Sequence, residues 1–266
     1  MTRIALVTGA SRGLGKGVAL GLGDAGWTVY LTGRTEEGPL SIGATAAEVD
    51  ARGGRAVPVR CDHADDAQVE ALFERVRADH GRLDLLVNNC FAIPREPIWT
   101  TPFWEQPIAS WDLMHTVGLR SHYVASRFAV PLLFESDRGL IVNVSSFAGG
   151  GYQLDVAYGV GKAGVDRLAR DMAHELRPRG VAAVSVWPGI VRTEWVMEHR
   201  DALPFPFEVT ESPEFTGRVI AALADDEDVM THSGQVLVVA ELAERYGVDD
   251  VDGTRPRSLR RKKKDR

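Results

Sequence analysis

The sequence predicts an α/β fold in which a parallel sheet is covered by helices on both faces. Seven short, nearly continuous apolar runs punctuate the chain: "RIALVT", "TVYLTG", "RAVPVRC", "LDLLVNN", "GLIVNVS", "VAAVSVWPG" and "GQVLVVA". Segments with a 3.6-residue apolar period lie between them. Strands that lack polar alternation are buried on both faces, and intervening helices supply the crossovers that parallel strands need. The expected architecture is therefore a doubly wound seven-stranded sheet, with ligands bound beyond the carboxyl ends of its strands.

The elements follow in order. The first run meets the glycine turn "TGASRGLG" (8–15), which opens a helix. The second run ends at "YLTGR", and the third is followed by "DAQVEALFERVRADH" (66–80), where Val69, Leu72, Phe73 and Val76 form one helical stripe. Three connections are longer than strand–helix joints require. They are 35–48, the Pro- and aromatic-rich 91–110, and 194–215, which reads as a substrate lid with apolar teeth at Trp195, Met197, Leu203, Phe205 and Phe207. Residues 1–254 are expected to form one domain, followed by a basic, disordered tail at 255–266.

At 266 residues, 44% hydrophobic and 26% charged, the chain can bury a full core. Its net charge of −6 combines an acidic body with eight basic residues in the last twelve. An acidic body without a basic face argues against nucleic acid as a partner, and the tail reads as solvated. Cys61 and Cys90 have neither disulfide nor metal spacing, which suits a reducing, cytoplasmic location. "MTRIALVTGA" leaves no room for a secretion signal, and no apolar run is long enough to span a membrane. His115 and His122 share a helical face without further metal ligands.

The glycine turn has the chemistry of a dinucleotide site. Its glycines permit tight turning and close approach of backbone N–H groups to a pyrophosphate at a helix N-terminus. Ser11, Arg12 and Leu14 complete it beside Gly9, Gly13 and Gly15. The second strand ends without the carboxylate that would bind a ribose 2′-hydroxyl, and Arg34 stands there instead. With Arg12 it forms a guanidinium pair suited to a 2′-phosphate, so NADP(H) is expected ahead of NAD(H). Glu36 and Glu37 could orient Arg34 or compete for it.

"AYGVGKAG" (157–164) places Tyr158 four residues before Lys162, on one helical face, in a chain with five lysines. An ammonium beside a phenol lowers its pKa toward the range useful for proton exchange. Two serines, Ser145 and Ser146, precede this helix in "NVSS".

Glycine turn, "NN" after the fourth strand, "NVSS", "YGVGK" and "WPGIVRT", in that order over residues 3–240, resemble the short-chain dehydrogenase/reductase family, which has a Rossmann fold. Within it, "VGLR", "YGVGKA", "WPGIV.TE" and "RYG..DVDG" resemble the branch called dehydrogenase/reductase SDR family member 1. The resemblance implies that Tyr158 is the general acid and that Lys162 lowers its pKa and holds the nicotinamide ribose. A serine would donate to the substrate oxygen: Ser146 by its place in the motif, Ser145 by the usual gap of thirteen to the tyrosine, with Ser146 favoured. Asp62 would contact adenine, Asn88 and its neighbours would support the adenosine ribose and the sheet, Ile190 and Thr193 would hold the nicotinamide carboxamide, and Pro188 and Gly189 would also bind the cofactor. A small-molecule carbonyl or alcohol is the implied substrate. A homodimer or homotetramer through helices at about 111–134 and 158–178 is the implied assembly.

Two departures stand out. The family's "NNAG" is "NNCF", with Cys90 and Phe91, and its catalytic asparagine falls on Gly118. They motivate the alternative of a catalytically weak nucleotide-binding regulatory or scaffold protein.

Overall fold

A computed structural model describes residues 2–94, 101–198, 200 and 206–260. All seven apolar runs form strands of one parallel sheet: β1 (Ile4–Val7), β2 (Thr28–Gly33), β3 (Arg55–Arg60), β4 (Leu85–Asn88), β5 (Leu140–Val144), β6 (Ala182–Trp187) and, last in the chain, Val236–Val238. A short parallel pair absent from the sequence-based expectation, β7 (Ile190–Val191) with β8 (Thr210–Glu211), ties the start of the lid to its end. The Val236–Val238 strand is therefore β9, and the sheet order is β3-β2-β1-β4-β5-β6-β9. Strand progression reverses between β1 and β4, which opens a crevice at their carboxyl ends.

Helices α1 (Gly13–Asp24), α2 (Ile42–Ala51), α3 (Asp66–His80), α4 (Ile108–His115), α5 (Ser121–Leu133), α6 (Val156–Leu176), α7 (Glu194–Glu198), α8 (Pro213–Asp225) and α9 (Val239–Tyr246) complete the chain. The strands feed two cores by alternation. Val7, Val87, Val142 and Val184 join Val18, Leu22, Val219 and Leu242 on one face. Leu6, Leu86, Ile141 and Ala183 join the α3 stripe of Val69, Leu72, Phe73 and Val76 on the other. Burial on both faces is why these strands carry no polar alternation.

Local chemistry sets the helix ends. Asp65 caps α3 by accepting from Ala67 and Gln68 N–H at 3.0 and 3.3 Å, and Gly81 closes it in the left-handed conformation at φ 69°. Between α4 and α5 the helix widens into a π segment, Thr116–Arg120, with Gly118 buried at its centre. Beyond residue 254, Arg255 pairs with Asp249 at 2.6 Å and Arg260 with Glu241 at 3.3 Å, while 261–266 lie outside the described residues. Among the described residues no helix is long and apolar enough to cross a membrane.

Candidate active site

The glycine turn is fastened to β4. Thr8 Oγ1 accepts from Asn89 and Cys90 N–H at 2.9 and 3.0 Å, and the Asn89 amide donates to the carbonyls of Thr8 and Gly9 at 2.9 and 3.2 Å. Gly9 and Gly13 hold φ of 67° and 56°. A β-carbon on Gly15 would lie 2.2 Å from the Gly9 carbonyl oxygen, so only glycine lets α1 start hard against the turn. Thr8 and Asn89 were not singled out from the sequence; "NN" was the available signal, and the partner across the crevice was not. Leu14 packs against the core, Ser11 is half-buried near Gly33, and Arg12 is exposed.

This turn suits an anion, and the chain itself shows it. Gly13 N–H donates to both carboxylate oxygens of Glu194, at 3.0 and 3.2 Å, where α1 has no side-chain cap. The carboxylate stands at the positive end of the helix, as a pyrophosphate would. The residues present thus fit the phosphates of a dinucleotide.

At the rim, Arg34 follows β2 with its side chain 72% exposed, and its Nη1 is 3.9 Å from Asp62. Glu36 turns to Arg60, at 3.7 Å, rather than to Arg34. Asp62 Oδ1 accepts from Ala64 N–H at 3.0 Å. Asn88 is fully buried and its amide donates to Ser126 Oγ and Asn143 Oδ1 at 2.9 and 3.0 Å, binding β4 to α5 and β5. Pro188 is buried, Gly189 N–H meets the buried Glu211 carboxylate, Ile190 lies in β7, and Thr193 Oγ1 accepts from Val196 N–H at 3.4 Å in the first turn of α7. Burial raises Glu211 to about 7. In the lid, Trp195 and Met197 are exposed, whereas Leu203 and Phe205 lie outside the described residues.

Ser146, Tyr158 and Lys162 gather near the end of β5. Ser146 caps the 3₁₀ turn Phe147–Gly149, accepting from Ala148 N–H at 3.2 Å, and hydrogen-bonds the Tyr158 hydroxyl. Ser145 instead donates to the Lys162 carbonyl at 3.1 Å, on the buried side of α6. Asp155 Oδ1 accepts from Tyr158 N–H at 2.7 Å and starts α6. Lys162 is buried, and its Nζ donates to the Val144 carbonyl at 3.2 Å. Burial lowers its pKa to about 8, against the opposing pull of Asp166.

One electrostatic expectation is reversed here. Burial raises the Tyr158 pKa, and Ser146 is the group that opposes it. Lys162 Nζ lies 5.7 Å from the Tyr158 ring centroid but 4.8 Å from that of Phe91, so the ammonium faces an aromatic ring that "NNCF" introduced. A raised pKa keeps the phenol protonated and able to donate. His115 and His122 do not converge: Nδ1 of His115 meets the Trp111 carbonyl at 2.9 Å and Nε2 of His122 the Cys90 carbonyl at 3.2 Å. Among the described residues no group of metal-ligating side chains forms.

The short chain dehydrogenase profile matches residues 3–204. The chain is 46% identical over 265 residues to dehydrogenase/reductase SDR family member 1 of Mus musculus and 44% identical to that of Homo sapiens. Each match covers 94% of this chain and 84% of the relative. A crystal structure of a short-chain type dehydrogenase/reductase from Mycobacterium marinum superposes with a TM-score of 0.77 at 26% identity, covering 89% of this chain and 93% of that one. With a glycine turn at the β1–β4 crevice and serine, tyrosine and lysine at the end of β5, the chain belongs to the short-chain dehydrogenase/reductase family of nicotinamide-dependent oxidoreductases, in the branch of SDR family member 1.

Proposed function

We propose that this enzyme is an NADP(H)-preferring carbonyl reductase, or alcohol dehydrogenase in reverse, acting on a small, fairly apolar compound in the cytoplasm. The observation that carries the reading is the hydrogen bond between Ser146 and the Tyr158 hydroxyl, beside the buried Lys162. The bound dinucleotide supplies or accepts the hydride. Gly9, Ser11, Arg12, Gly13, Leu14 and Gly15 hold its phosphates, with Asp62 on the adenosine side, while Asn88 braces β4 from inside the sheet. Pro188, Gly189, Ile190 and Thr193 flank the nicotinamide.

Tyr158 donates its phenolic proton to the oxygen of the carbonyl as negative charge develops there. Ser146 donates to the same oxygen, a contact worth most in the transition state. Lys162 binds the nicotinamide ribose through its ammonium and supports proton return to Tyr158. Arg34 and Arg12, both exposed at the rim, read the 2′-phosphate. The exposed Trp195 and Met197 of the lid favour an apolar substrate.

The enzyme assembles as a homodimer or homotetramer. Trp111, Tyr123 and Val160 are 42%, 55% and 47% exposed on α4, α5 and α6, and Tyr123 lines a groove of about 520 Å³ with Leu119 and Leu168. Exposed aromatics beside a groove mark an association surface.

A panel of ketones and aldehydes with NADPH and with NADH tests the function. Substrate-dependent NADPH oxidation is expected. Tight NADPH binding with no turnover on any compound would favour the scaffold reading, and a sedimenting species of only 29.0 kDa would reject the oligomer.

A further inference from the structure

Phe91 and Gly118 are far apart in sequence, and each departs from the family pattern separately. The fold brings them into contact. A β-carbon built on Gly118 would lie 2.5 Å from Phe91 Cδ2 and 2.8 Å from Cε2, so the ring rests on the bare backbone of the π segment. From that seat its face meets the Lys162 ammonium, with Nζ 4.8 Å from the centroid. It also meets Tyr158 in a T-shaped contact, with centroids 5.5 Å apart and planes at 79°. Met114 and Ala157 close the cluster.

We propose that Phe91 and Gly118 form one unit: Gly118 provides the seat, and Phe91 is a positioning residue whose ring holds the Lys162 ammonium charged and in place beside Tyr158. The proposal rests on the reading of Tyr158 and Lys162 as the proton-handling pair. Burial strips an ammonium of hydration and favours its neutral form, whereas the negative face of an aromatic ring favours the cation. The other groups around Lys162 leave room for that contribution. Asp166 and Tyr158 come from its own helix, and the Val144 carbonyl comes from β5. On α5, His122 is depressed to about 3 by burial and then by Lys162, so it is neutral and adds no charge. His115 of α4 lies across from Gly161. The pair is sterically coupled as well, since any side chain at 118 must displace the ring.

The test uses the full chain labelled with ¹³C at lysine Cε, with the pH titration of Lys162 followed by NMR. Lys162→Met identifies its signal among the five lysines. Phe91→Leu keeps an apolar neighbour but removes the π face, and should lower the Lys162 midpoint by about half a pH unit or more. Phe91→Tyr should restore it. An unchanged midpoint in Phe91→Leu would overturn the proposal, and Phe91→Met serves instead if that variant does not fold. Separately, Gly118→Ala should lower the melting temperature by about 3 °C or more in the wild-type background and far less in Phe91→Ala. Equal losses in both backgrounds would remove the unit. Neither readout uses turnover, so failure of the catalytic reading and failure of this one are separate results.

Discussion

The two ends of the crevice are built from different materials. At the glycine-turn end the chemistry belongs to the backbone: glycines at 9, 13 and 15 shape a turn whose Gly13 N–H faces the Glu194 carboxylate, and Asn89 with Thr8 fastens it to β4. At the end of β5 the chemistry belongs to side chains in dry surroundings, where burial pushes Tyr158 up and Lys162 down to about 8. Backbone geometry depends on which residues permit it, whereas side-chain acidity depends on everything packed around the group. Substitutions at the two ends should therefore fail in different ways.

The largest separation is expected from Tyr158→Phe, which removes the donated proton and leaves the glycine turn untouched. kcat should fall by at least ~100-fold while NADPH affinity stays close to wild type. Retained turnover would exclude Tyr158 as the acid, and parallel loss of affinity would show that the two ends are not separable.

Arg34→Asp breaks the other end. It replaces the exposed guanidinium that follows β2 with a carboxylate, which would repel the 2′-phosphate of the proposed cofactor. The ratio of kcat/KM with NADPH to that with NADH should fall by at least ~10-fold, equivalent to about 1.4 kcal/mol. A wild type that already prefers NADH would end the NADP assignment.

A smaller effect sharpens the comparison. Glu194 occupies the Gly13 N–H with both oxygens, at the place proposed for a cofactor phosphate. Glu194→Ala should tighten dinucleotide binding a few-fold, on the order of the ~0.3–1 kcal/mol of an anion at a helix N-terminus. Fluorescence titration with NADPH measures it. Weaker binding would mean that Glu194 supports the turn rather than competing at it.

Much of the molecule is legible in the sequence. The inner strands β1, β2, β4, β5 and β6 declared themselves by unbroken apolar runs, because burial on both faces forbids polar alternation, whereas the edge strand β3 is partly exposed. The α3 stripe did so by its period, and the anion turn by glycines whose φ of 67° and 56° disfavour other residues. The β7–β8 pair escaped notice because two-residue strands leave no period to read. "NN" marked a site without distinguishing its members: Asn88 is buried in the sheet, and Asn89 holds the turn.

Ser145 and Ser146 show where sequence spacing ends. Both stand in one motif, and only the path of the 3₁₀ turn at 147–149 sends Ser146 to Tyr158 and Ser145 to the inner side of α6. Tyr158 and Lys162 were identifiable by their spacing on one helix, yet their ionisation was not. A pKa is the sum of desolvation and neighbouring dipoles, and here Phe91 arrives from 71 residues away in sequence to meet the ammonium. Local sequence determined the elements, the turn and the Tyr158–Lys162 pair, because each depends on residues within a few positions. Tertiary structure alone decided which serine, which asparagine and which ring surround that pair, because such contacts join segments that no local pattern connects.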